Sequence, residues 1–272
     1  MAEYPACNLN TTISYGGYMT QDYGQNDLPR YAPLEAIKGM EIVNSLLQLY
    51  FIEDDLFMRS QAHNISMVDK FLTKLEYDVL AELHRTEHTP PQTYFLAAQS
   101  QMWIFAAYEL LRTWTQRTKD FIRLAQNGGL EQKLKALKSK KSDFLHVGLD
   151  MRIKQLESAI KNPTLVDELE TQRLHMYIPF TRLEYIRVSM AKHEVSKKNN
   201  SIALSPVDGR INTWCGSLDY ELENGKFSMG LISRRDIADS IRYLDIKQDP
   251  PSQETIKNFD EFMFSVPPDL PD

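Results

Sequence analysis

From Pro33 to about Lys198 the chain repeats apolar residues at helical spacing, and no other feature constrains its fold as strongly. "SMVDKFLTKLEYDVLAELHRTE" puts Val68, Leu72, Leu75, Val79 and Leu83 on one stripe of a helix, with Ser66 and Asp69 as its N-cap pair. The segment before it, "LEAIKGMEIVNSLLQLYFIEDDLFM", is long, apolar and free of proline, which predicts a first helix. A third is expected from about Thr93 to Asn127, stopped by Gly128-Gly129. A fourth should run from Leu130 to about Lys161. Asn162-Pro163 then opens a fifth, which Pro179 should kink or break.

Both flanks differ from this run. Residues 1–32 are rich in Tyr, Gly, Asn and Gln, and too poor in aliphatic side chains to build a core. They read either as an extended arm or as one whose tyrosines dock on the body or on a second subunit. After "SKKNNS" the period shortens to two. Leu218, Tyr220 and Leu222, then Asn224-Gly225, then Phe227, Met229 and Leu231 predict a β-hairpin on a type I′ turn. "GRINTWC" is the candidate third strand. Ser233 and Asp236 form a capping box for a short helix, "RRDIADSIRYL". The acidic, proline-rich segment from Asp245 is expected to be extended, with Phe259, Phe262 and Phe264 as anchors.

Composition narrows the class. The chain has 272 residues, 42% hydrophobic and 25% charged, with a formal charge of −6. Those values suit a globular protein and argue against nucleic-acid binding driven by overall charge. Two cysteines, Cys7 and Cys215, suggest neither a disulfide framework nor a Cys-based metal site. The N-terminal residues lack the basic and apolar regions of a signal peptide. The most apolar window, "YFLAAQSQMWIFAAYELL", contains Gln99, Gln101 and Glu109, which are costly in lipid. A cytoplasmic protein of bacterial type, without membrane association, is the expectation.

Four constellations could carry chemistry. His84, Glu87 and His88 spell H-x-x-E-H, which resembles the zinc string of the inverzincin peptidases. The resemblance implies that His84 and His88 hold zinc and that Glu87 is the base. Context favours outward-facing histidines at a helix end cut off by Thr89-Pro90-Pro91. Arg187 and His193 in "RVSMAKHEV" form an Arg-x5-His string that resembles the catalytic motif of HEPN-domain ribonucleases, departing from it at Val188. That resemblance implies a dimeric helical bundle in which His193 activates the RNA 2′-hydroxyl and Arg187 clamps phosphate. The residues themselves also allow a partly buried histidine beside Leu183, Ile186 and Met190.

The lysine-rich segment "LEQKLKALKSKK" lacks interleaved aromatics, so it reads as a solvated helix face rather than an RNA groove. "MWIFAAYELLRTW" puts Trp103 and Trp114 on one side of a helix and Phe105, Tyr108, Glu109 and Arg112 on the other. Those six residues are expected in a core or a subunit interface, with Glu109 and Arg112 as a buried ion pair. P-loop, dinucleotide-binding and nucleophile-elbow strings do not occur, and no cofactor is expected.

The fold expected from all this is mainly α: a bundle of about five helices, then a small antiparallel β element and a short helix. The leading functional expectation is a homodimeric protein-interaction scaffold. A metal-independent ribonuclease using Arg187 and His193, with RNA as partner, comes second. A zinc hydrolase comes third.

Overall fold

The computed structural model describes residues 31–140, 146–192, 201–204, 210–224 and 227–264. Eight α-helices lie among them: α1 (Glu41–Leu46), α2 (Leu56–Thr86), α3 (Gln92–Gln126), α4 (Leu130–Lys138), α5 (Val147–Lys161), α6 (Leu165–Lys192), α7 (Arg234–Arg242) and α8 (Gln253–Phe264). The three strands are β1 (Ser201–Leu204), β2 (Asp219–Asn224) and β3 (Phe227–Ser233). The expected bundle of about five helices and one short helix is therefore corrected to eight helices among the described residues. Helix α3 packs against α2 on one side and α6 on the other. No described helix is long and apolar enough to cross a membrane.

Local chemistry explains where the helix boundaries fall. The expected first helix is a 3-10 turn (Leu34–Ala36), the short α1 and the start of α2. The break comes from Asp55, whose side chain accepts from the Phe57 and Met58 amides and pairs with Arg117 at 2.5 Å. It is therefore the N-cap of α2. Just before it the chain reverses through Phe51, held at φ 74° with its ring buried against Phe121. Ser66, expected as that cap, lies inside α2 and ties it to the α1 region instead. Its hydroxyl donates to the Gly39 carbonyl and accepts from the Val43 amide.

The expected fourth helix is two, α4 and α5. Helix α6 runs through Pro179 without a break, because Met176, Ile178, Leu183 and Ile186 bury both of its halves. Tyr108 of α3 stacks on Phe180 at the proline itself, with ring centroids 5.8 Å apart. Tertiary burial thus outweighs the lost backbone hydrogen bond.

The strands form an antiparallel sheet in the order β1-β2-β3. The hairpin lies where the alternation predicts it, but Asn224, expected in the turn, is the last residue of β2 and pairs with Phe227; residues 225–226 lie outside the described residues. The third strand is β1 and not "GRINTWC", of which Ile211 makes only an isolated bridge to Leu218. A register shift at Leu222/Glu223 and Gly230 at φ 99° change the phase of β3, so Ile232 is buried and Leu231 is exposed. Ser233 and Asp236 make the expected capping box. The segment from Asp245 is not simply extended. Residues 253–264 form α8, anchored on α6 by Phe259 and Met263, with Tyr177 donating to Asp260. Phe262 is left exposed.

Candidate functional site

The three arginines of α7 are turned into the protein. Arg234 is fully buried; its Nε donates to Glu76 at 2.8 Å, Nη1 to Asp69 at 2.5 Å and Nη2 to Thr73 at 3.2 Å. The indole of Trp103 lies 5.3 Å from its guanidinium carbon. Asp69 is shared, accepting from Arg242 Nη2 at 2.6 Å through its other oxygen. Arg242 also pairs with Asp239 and with Glu41. Arg235 bonds Asp239 and the Ala32 carbonyl between the rings of Tyr31 and Tyr77. Tyr31 donates to Asp236. Burial works against the charge on Arg234, and Glu76 and Asp69 overcome it, holding its pKa above the ordinary arginine value.

This cluster has the form of a clamp, not of a catalytic centre. Its guanidinium and carboxylate groups are turned on one another inside the protein, and Thr73 is the one residue of the cluster that lines either described depression. Burying such charges costs several kcal/mol per ion unless each is paired. Cys215 lies beside it, with its thiol pushed up to about 12 by burial and by the Glu76 charge, so it is a poor nucleophile.

The clamp decides which way α2 faces. Asp69, Thr73 and Glu76 must point inward to meet α7. The opposite side of the helix therefore presents apolar side chains to water: Met67 is 70% exposed and Phe71 55%. Val68, expected on the buried stripe, is also outside, while Leu72 and Val79 are inside. On α3, Phe95 (51%) and Met102 (63%) continue the same outer face. Phe71 and Phe95 meet edge-to-face at 6.5 Å. Beside them an open depression of about 400 Å³ is lined by Leu34, Ile37, Met67 and Phe71, together with Lys70, Thr73 and Lys74. No family model, curated protein or solved structure matches this chain.

The structure brings two of the expected constellations together. Arg187 of α6 lies against the second face of α3, with its guanidinium 4.8 Å from the Tyr108 ring and 6.0 Å from Phe105. It reaches Glu109 at 3.7 Å, and Glu109 bonds Arg112 at 2.7 Å. With side chains 46% and 40% exposed, Glu109 and Arg112 are a surface pair and not the buried one expected. They lie near the rim of the α3–α6 contact, where water solvates both. Tyr108 donates to Glu184 at 3.3 Å, and its pKa is raised by burial and by that carboxylate. Arg187 is 31% exposed and already partly engaged. His193 lies outside the described residues. Trp103 and Trp114 are buried; their indoles donate to the carbonyls of Ile65 and Tyr50.

The H-x-x-E-H residues are not gathered. Helix α2 ends at Thr86, Glu87 is its left-handed cap at φ 58°, and His88 follows beyond the helix. All three side chains are exposed, so the one-turn spacing a shared metal would need is not built. No group of three potential ligands occurs among the described residues.

The sequence pattern missed both the clamp and the outer face. "RRD" after a capping serine signals a helix start, but nothing local says that its arginines turn inward.

Proposed function

We propose that this protein acts by binding other proteins through the outer face of α2 and α3. The observation that carries the reading is the way α2 is turned: Asp69 and Glu76 are buried while Met67 and Phe71 are exposed. Exposed large side chains gathered on one surface mark docking sites, and methionine adapts to varied partners. A photoreactive amino acid at Phe95, compared with one at Lys119 farther along α3, tests the reading. Adducts are expected from position 95, whether with a second copy or with another protein. Equal yields from both positions would remove the argument.

A metal-independent ribonuclease is the second reading. What favours it is the seat of Arg187, where two aromatic rings orient a partly exposed guanidinium. RNA cleavage that persists in EDTA and disappears in both Arg187→Ala and His193→Ala would support it. Cleavage unchanged in either variant would dismiss it.

A further inference from the structure

We infer that the outer α2–α3 face takes an acidic amphipathic helix from a different protein, an inference that rests on the interaction reading above. Shape is the first argument. Met67 and Phe71 stand one turn apart on α2, and Phe95 and Met102 stand two turns apart on α3. The 6.5 Å contact between Phe71 and Phe95 joins the two rows. The adjoining depression is shallow and open, and the apolar surface continues past it onto α3. That is a longer track than a compact small molecule fills. It suits a helix laying apolar residues from successive turns into a groove.

Charge is the second argument, and it selects the partner. The protein carries −6 overall, yet both charged residues that line the depression are lysines. Residues 56–68 contain no acid, and residues 92–108 contain no charged residue at all. Asp69 and Glu76 are turned inward to the arginines. Lys70 and Lys74 flank the depression. Lys74 is paired with Asp78 at 2.6 Å, whereas Lys70 has no acidic partner among the described residues. Its stem lies over Gly39, where a Cβ would meet Lys70 Cδ at 2.6 Å. A second copy seated face to face would bring base toward base, which disfavours self-pairing here. An anionic membrane surface generally calls for about four to eight clustered bases. The two lysines beside the depression, one already paired, fall short of that. Glutamates flanking the apolar stripe of a partner helix would meet the two ammonium groups directly.

The test uses the full chain and two fluorescein-labelled helical peptides. Both carry leucines at i, i+4, i+7 and i+11; one has glutamates flanking the stripe and the other has lysines at the same positions. Anisotropy should show the glutamate peptide binding more tightly by on the order of tenfold. The Lys70→Glu/Lys74→Glu double variant should reverse the preference, and Phe71→Glu should weaken both peptides. These substitutions are at the surface, and far-UV circular dichroism checks that each variant is folded.

Binding that ignores peptide charge, or a double variant that leaves the preference unreversed, overturns the inference. So does tighter association with phosphatidylserine vesicles than with the glutamate peptide. If neither peptide binds but sedimentation finds a dimer that Phe71→Glu dissociates, the acidic helix is wrong and the interaction reading stands. If neither peptide binds and Phe71→Glu alters no association, both fall.

Discussion

A Cβ atom on Gly216 would stand 1.9 Å from the main-chain carbonyl oxygen of Glu76. Gly216 also has φ +75°, which side chains rarely adopt. The loop between Ile211 and Leu218 thus rests directly on the backbone of α2, at the residue that holds Arg234. Gly216→Ala should destabilise the protein by more than about 4 kcal/mol, because neither backbone can give way without disturbing the clamp. Urea denaturation at neutral pH measures this, and a loss below about 1 kcal/mol would show that the contact can relax.

Removing one partner from the clamp should cost more than removing several together. Arg234→Met leaves Asp69 and Glu76 buried without their main cation, at a cost of about 3–5 kcal/mol. Combining it with Asp69→Asn and Glu76→Gln should recover a large part of that loss. Thermal unfolding of the single and triple variants reads the difference. A triple variant as unstable as the sum of its single changes would mean that the groups do not act as a unit.

Helix α2 offers a test of its orientation at neighbouring positions. Phe71→Glu should change stability by no more than about 0.5 kcal/mol, since the ring is already half in water. Leu72→Ala should cost about 2–5 kcal/mol, since Leu72 is fully buried. Comparable losses at both positions would place Phe71 in the core.

Acid should weaken the protein through Asp55. Burial would raise its pKa, but the Met58 and Phe57 amides and Arg117 outweigh that and hold it below the ordinary aspartate value. The folded state therefore favours the ionised form. The stabilisation is complete above the unfolded value of about 3.9 and is lost as pH falls through the lower folded value. Asp55→Asn, which keeps a capping oxygen, should flatten this part of the stability profile. An unchanged profile would assign the acid sensitivity to other groups.

His175 should add a second pH dependence nearer neutrality. Burial lowers its pKa, against a hydrogen bond at Gln248 and the charge of Asp245. The folded state favours neutral imidazole, so this contribution is complete above about pH 6.5 and declines as pH falls toward the folded value. His175→Gln should reduce the stability change between pH 7 and pH 5 measured by urea denaturation. An identical change in the variant would mean that His175 does not contribute.

The signals legible in the sequence are short-range ones. The apolar period marks α3 and α6, Ser233 with Asp236 starts α7, and the alternation around Asn224-Gly225 marks β2 and β3. Each depends on residues within a few positions of one another, which is why each can be read without the fold. Where the reading failed, a distant partner decided the outcome. Arg117, 62 residues away, reinforces the Asp55 cap that divides the expected first helix. Tyr108 packs on Phe180 and helps keep α6 whole through Pro179. A shift in strand register exchanges Leu231 for Ile232.

The candidate interaction face belongs to this second kind. Periodicity requires α2 to have an inside, but it puts Val68 there with Leu72 and leaves Asp69 and Glu76 to water. Glu76 and Arg234 are 158 residues apart, and only folding brings them together. Once Asp69 and Glu76 are drawn inward to buried guanidinium groups, Met67 and Phe71 must face outward, because successive helical positions are about 100° apart. By itself the sequence determined a helical protein with a short β-hairpin, through local backbone and hydrophobic patterning. The tertiary structure alone decided which side of α2 meets water, through charges that cannot be buried unpaired.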